Sequence, residues 1–369
     1  MTRVRSVALR LVGLPLVRPF RTSFGEMTHK ECVLARVETD DAVGWGECVA
    51  GGEPDFSEEW NDGVWMVLRD FLVPKLLASD AAAEEVEAAF SFIRGHPMAK
   101  ATLVDAMLDA ELRGQGISLA AYLGGVRERV ACGVSVGIAS SKNVLLEQVG
   151  GYLDEGYRRI KLKIEPGIDV ERVAAVREAH PDILLSVDAN AAYSLADLET
   201  FRALDALGLL MIEQPLHFED LVQHAALQRE ISTDLCLDES IRSASDAEAA
   251  LALGACRIVN IKQGRVGGVL EARRVHDAAA GRNAPVWCGG MLETGIGRAT
   301  NLALAAMANF TLPGDTSASR RYFAEDLTEP FELAPDGTMA VPTGPGIGVE
   351  PDPDRLAART LRVERFEKE

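Results

Sequence analysis

The sequence lacks the features on which several protein classes depend. Its six cysteines, Cys32, Cys48, Cys132, Cys236, Cys256 and Cys288, are widely scattered. They form no CxxC pair and no Cys/His spacing of a zinc site. Most lie in apolar runs such as "DLCLDES", so they read as reduced thiols of a cytoplasmic protein. The six histidines (His29, His96, His180, His217, His224, His276) show no ligand spacing and read as structural or exposed. No apolar run reaches the length of a membrane span. The N-terminal "MTRVRSVALRLVGLPLV" imitates a signal peptide, but Arg10 interrupts it and no small-residue cleavage site follows. Basic residues are in deficit: 38 Lys and Arg against 56 Asp and Glu give a net charge of −18. That sign opposes binding to nucleic-acid phosphates, and it obliges any anionic substrate to meet a locally basic or metal-bearing site.

What is present is apolar material, 47% of 369 residues, enough for two domains or a large barrel with attachments. Residues 1–45 alternate as strands, with "RPFRTSFGE" (18–26) as a turn-rich connection. A Gly/Pro/acid-rich stretch (50–63) precedes "AAAEEVEAAFSFI" and "AKATLVDAMLDAELRGQG", whose apolar residues recur at helical spacing. Residues 1–125 are therefore expected to form an α+β unit. From there to residue 322, short Val/Ile/Leu-rich runs alternate with helical stretches. The runs extend from "ACGVSVGI" to "APVWCGGM", with "NFTLPGD" as a candidate eighth. Eight such units predict a (β/α)₈ TIM-type barrel.

The repeat is sharpest in its ionisable residues. Lys163, Asp188, Glu213, Asp238 and Lys262 fall at or near strand ends, at intervals of 25, 25, 25 and 24 residues. A fixed period delivers one group per unit at one height, the C-terminal rim. Asp188, Glu213 and Asp238 on successive strands would repel one another without a cation among them. Their all-oxygen donor set suits Mg²⁺ first and Mn²⁺ second. "VDAN", "IEQP" and "LDES" each precede a helix, so each acid alone could be a cap. Three caps at one interval is the weaker explanation. Lys163 and Lys262, on strands two and six, oppose each other across an eight-stranded ring. They could serve the two faces of a carbon beside a metal-bound carboxylate. Lys161 shares a face with Lys163 and is expected to crowd it, lowering its pKa, and to hydrogen-bond the substrate carboxylate. Asn260 shares a face with Lys262, which favours a polar barrel interior over a snorkelling surface lysine.

The KxK of "KLKI" with "VDAN", "IEQPL", "LDES" and "NIKQGRVGG" resembles the enolase superfamily, muconate-lactonizing subgroup; "PVWCGGM" lacks the His of the mandelate-racemase-like subgroup. "PFRTSFGE", "GWGECV", "HPMAKA", "GYRRIKLKIEPG", "PVWCGGMLETGIGRA" and "LPGDTSAS" resemble the N-succinylamino acid racemase / o-succinylbenzoate synthase family. The resemblance implies a modified barrel (126–322), a cap (1–125) completed by a returning segment (323–369), and a homo-oligomer. It implies Lys163 and Lys262 as the acid/base pair, and Asp188, Glu213 and Asp238 as Mg²⁺ ligands. Lys161 and Asn190 would lie at the substrate carboxylate, and Ser135, Gly290 and Met291 along the acyl end. Glu239 would stand behind the metal ligands and Arg265 beside the second lysine. Loops 18–26 and 50–63, with Phe20, Phe56 and Phe323, would set specificity. Family members often carry Tyr where Phe56 stands and Met where Gly51 stands. The implied activity is racemisation of N-acyl, chiefly N-succinyl, amino acids by 1,1-proton transfer through an enediolate. The related dehydration of a cyclohexadiene carboxylate to o-succinylbenzoate, in menaquinone synthesis, starts with the same proton abstraction. The alternatives are a dipeptide epimerase, against which "PGDTSAS" offers Asp315 alone rather than a paired DxD, or a muconate-type cycloisomerase. A non-enzymatic scaffold predicts a broken catalytic position, and none is broken.

Overall fold

A computed structural model describes residues 3–23 and 25–368. Val4–Arg21, Glu26–Thr39 and Val43–Glu47 form an antiparallel sheet, and Thr360–Glu367, from the far end of the chain, pairs with Val4–Arg21 at its edge. The helix Pro97–Gln115 lies directly on Val43–Glu47. Gly44 and Gly46 permit this approach: a Cβ on either would fall 2.0–2.1 Å from a carbonyl oxygen of that helix. The connection expected over 18–26 is shorter than the sequence indicated. Phe20 pairs with Met27 and Arg21 with Glu26, so strand pairing continues almost to the tip. The register breaks between Pro15 and Phe20, where Pro15 and Pro19 have no N–H to give the ladder. The hairpin end is bonded to the barrel: Ile138 N donates to Arg21 O at 3.0 Å and Val17 N to Tyr322 O at 2.9 Å.

Seven parallel strands follow in chain order: Gly133–Val136, Arg159–Lys163, Leu184–Asp188, Ile212–Glu213, Leu235–Leu237, Ile258–Ile261 and Val286–Cys288. Helices separate them, as the alternation of apolar runs and helical stretches predicts. The eighth position differs from the expected strand. Residues 309–315 close the ring through two isolated bridges, Val286 with Phe310 and Cys132 with Gly314, and through Asp315 N donating to Cys288 O at 2.8 Å. Pro313 cannot donate to a ladder, which accounts for the irregular closure. The C-terminal segment does more than return to the cap: Thr338–Ala340 first pairs with Arg129–Ala131, just ahead of the first barrel strand. Inside the ring, Met211, Cys236, Ile258 and Trp287 form an apolar floor. All six cysteines are buried and unpaired. Among the described residues no helix is long and apolar enough to cross a membrane.

Cap and barrel are joined through a buried acid on Pro97–Gln115. Asp105 Oδ1 accepts Val269 N at 2.9 Å, at the start of the helix Val269–Ala280, while its Oδ2 is buried without a partner. Burial pushes the Asp105 carboxyl up to about 7. A raised carboxyl pKa contributes stability at low pH that is lost as pH rises through the folded value. Asp105→Asn keeps the acceptor and removes the charge. Its stability relative to the unsubstituted protein should therefore climb between pH 4 and 7, on the order of 1 kcal/mol per pH unit, and its melting temperature with it. Thermal unfolding at both ends of that range checks this; a difference independent of pH would contradict it.

Candidate active site

The 25-residue period becomes lateral register in the barrel. Lys163 pairs with Asp188, and Asp188 with Glu213, on three adjacent strands. Asp238 and Lys262 each follow directly on a strand end, after Leu237 and Ile261. Asp188, Glu213 and Asp238 are at most 1% exposed, and Lys161 and Lys262 are buried with them. On the strand Arg159–Lys163, Ile160 and Leu162 are buried on the opposite face, so period two separates the apolar and cationic sides.

The charges are tightly interlocked. Lys163 Nζ donates to Asp188 Oδ2 at 2.6 Å and to Asn190 Oδ1 at 2.7 Å. Asn190, at φ +43° in the turn after its strand, passes its other end to Glu239 Oε1 at 2.9 Å. Opposite, Lys262 Nζ donates to Asp238 Oδ2 at 2.7 Å and lies 4.5 Å from the centre of the Phe56 ring. Arg265 pairs with Asp238 Oδ1 and donates to the Ile241 and Asn260 carbonyls. Glu213 accepts Asn260 Nδ2 at 2.7 Å and Lys161 Nζ at 2.9 Å. Burial disfavours the Asp188 anion, but Lys163 and Lys161 outweigh it and hold its carboxyl well below the usual range. Burial, then the neighbouring Asp188, pushes Glu213 up.

Lys161 has partners that the sequence did not assign to it. Its ammonium lies among Asp315 Oδ2 at 2.8 Å, Glu213 Oε2 at 2.9 Å and Asp188 Oδ2 at 3.2 Å, and 4.8 Å from the Trp287 ring. Burial opposes the charge, yet Asp315, Glu213 and Asp188 keep it well above the ordinary lysine range. Lys161 thus acts first as a counter-ion to three acids. Asp315 and Trp287 were not assigned this place from sequence. Trp287 reaches it as the neighbour of inward-facing Asn260 in register. Asp315 was not legible there, because its partners Arg159 and Lys161 lie more than 150 residues earlier.

Ser135, beside Lys161 in register, has a buried hydroxyl with no partner. Gly290 faces the Asp315 backbone, where a Cβ would come within 2.8 Å of the carbonyl oxygen. Met291 is half-buried, its N–H held by Glu293. Phe56 is brought to Lys262, whereas Phe20 and Phe323 gather around Tyr322, with ring centres at 6.5 and 6.2 Å. A cavity of about 210 Å³ is lined by Phe56, Glu59, Met98, Phe218, Glu239 and Arg265, among others.

Among the described residues no three acidic or imidazole groups form a ready cation cage, since ammonium groups stand between the acids. The donor set still fits a hard divalent ion: three buried carboxylates on adjacent strands, with an unpartnered Glu239 Oε2 behind them.

The chain is similar over 96% of its length, at 58% identity, to an N-succinylamino acid racemase of Amycolatopsis sp, 96% of which is covered. It is 49% identical to an o-succinylbenzoate synthase of Geobacillus stearothermophilus, covering 99% of this chain and 98% of that one. A solved enolase-superfamily member from Listeria innocua Clip11262 superposes with a TM-score of 0.96 at 40% identity, over the full length of both chains. Residues 5–124 match the mandelate racemase / muconate lactonizing enzyme N-terminal domain, and residues 144–355 match the enolase C-terminal domain-like family. With a family match at each end and an enolase-like barrel carrying acids and lysines on successive strands, the chain belongs to the mandelate racemase / muconate lactonizing enzyme family of the enolase superfamily.

Proposed function

We propose that this chain is an N-acylamino acid racemase acting best on N-succinyl amino acids, with o-succinylbenzoate synthesis as a second activity of the same site. The observation that carries the reading is the pair of lysines, Lys163 and Lys262, each tied to its own carboxylate, Asp188 or Asp238. Asp188, Glu213 and Asp238 would hold Mg²⁺, which Mn²⁺ can replace. When bound, the ion supplies positive charge where the substrate carboxylate becomes electron-rich. Lys163, released from Asp188, takes the α-proton from one face of the substrate, and Lys262 delivers a proton to the other. In the reverse direction their duties exchange. Asn190 orients Lys163, and Asn260 fixes the Glu213 carboxylate. In the dehydration Lys163 takes the proton while Lys262 remains protonated beside the developing anion. We assign residues 1–125 and 323–369 to the cap and 126–322 to the barrel.

Incubation with N-succinyl-phenylalanine, Ala-Glu or the cyclohexadiene precursor of o-succinylbenzoate in D₂O tests the assignment. Deuterium should enter the α-position of the first substrate, and the third should lose water. Exchange confined to the dipeptide would establish the epimerase alternative. EDTA should abolish turnover, with Mg²⁺ or Mn²⁺ restoring it; activity indifferent to both would remove the metal from the scheme.

A further inference from the structure

The loop that carries Phe56 has a defined base and a defined anchor. A bridge between Gly51 and Trp60, with Asn61 N donating to Gly51 O at 2.8 Å, brings its two ends together. This is the geometry of a compact Ω-type loop. Phe56 near its tip covers the Lys262 ammonium. Only three residues later, Glu59 turns inward and is 5% exposed. Its Oε1 accepts Met98 N at 2.7 Å and its Oε2 accepts Ala99 N at 3.0 Å.

Those two amides are the first that the helix Pro97–Gln115 can offer, since Pro97 has none. A helix normally satisfies them with its own N-cap side chain. Here the N-cap residue, His96, sits at φ +54° and makes no side-chain cap bond. The loop supplies the missing cap from outside, and in doing so is clamped to the helix. Ser57 adds a second contact, its hydroxyl 3.8 Å from Met98 Sδ. The helix itself is firmly held, by Asp105 on Val269 and by Asp109 on Trp45 N and Ile347 N.

We propose that Glu59 is a positioning residue that latches the 51–60 loop to the helix Pro97–Gln115 and thereby seats Phe56 over Lys262. The place of Phe56 over Lys262 then depends on one carboxylate of its own loop.

Hydrogen exchange on the full chain without substrate tests the latch independently of the proposed reaction. In Glu59→Ala, amides of residues 51–60 and of Met98 and Ala99 should exchange at least about ten-fold faster, with the barrel strands unchanged. Glu59→Gln keeps one acceptor, should fall between, and serves if the alanine variant does not fold. Unchanged exchange in these segments would overturn the proposal. The kinetic arm rests on the racemase reading. KM for N-succinyl-phenylalanine should rise about ten-fold in Glu59→Ala, with a much smaller change in kcat. Adding Phe56→Ala should then cost little more, because the latch acts through that ring. Strict additivity of the two substitutions would also overturn it. Should the unsubstituted enzyme not turn over this substrate, the racemase reading fails while the exchange result still decides the latch.

Discussion

Lys163→Ala and Lys262→Ala are each expected to abolish two-way racemisation, by at least ~10³-fold, since a positioned general acid or base contributes about 10²–10⁴. The two variants should differ in what they retain. With one lysine gone, the remaining lysine still faces one side of the α-carbon, where as a neutral amine it takes the proton, exchanges it with solvent and returns a deuteron to the same face. One enantiomer should therefore continue to exchange its α-proton with solvent deuterium, and the retained enantiomer should switch between the variants. The expectation follows from separate seating. Lys163 is tied to Asp188 and Asn190, Lys262 to Asp238, and the two lysines extend strands two and six of the ring. Full racemisation persisting in either variant would refute the pair. Loss of exchange from both enantiomers in both variants would mean that the lysines act as a unit.

Arg159→Met is expected to produce the largest loss of stability, roughly 3–5 kcal/mol, the usual penalty for leaving one partner of a buried ion pair uncompensated. Arg159 is fully buried at the start of the second barrel strand. It bonds Asp315 Oδ1 at 2.7 Å and the Pro313 carbonyl at 3.0 Å, and its guanidinium lies 4.7 Å from the Trp287 ring centre. Its removal leaves Asp315 with Lys161 alone. It also frees the irregular segment that closes the ring at the eighth position. Adding Asp315→Asn should recover part of the loss, because a pair removed together costs less than one partner removed singly. Urea unfolding of both single variants and the double variant measures this. A double variant less stable than Arg159→Met would show that Asp315 stabilises through Lys161 rather than through Arg159.

The sequence made much of this site legible because its signals are local and periodic. The 25-residue interval located Lys163, Asp188, Glu213 and Asp238 without any knowledge of contacts, and strand alternation placed Lys161 beside Lys163. What alternation could not say is where Lys161 spends its charge. That depends on Asp315 arriving from the eighth position, through an irregular segment with no strand periodicity to read. The reach of the cap hairpin was obscured for a related reason. Pro15 and Pro19 mark a break, and only pairing across strands reveals that the ladder resumes at Phe20. Glu59 stood in the Gly/Pro/acid-rich stretch 50–63, where no periodicity marks one acid as buried; its place follows from the uncapped start of Pro97–Gln115, a contact about 40 residues away.

The edge pairing of Val4–Arg21 with Thr360–Glu367, Ser6 opposite Glu367, sets an order of events during synthesis. Residues 309–315, which close the barrel ring, leave the ribosome well before the strand that completes the cap sheet. Domains generally form as the chain emerges, N-terminal parts first. A nascent chain can therefore bring its ring of acids and lysines together beneath an unfinished roof, and the cap sheet gains its edge strand only after residues 360–367 have emerged.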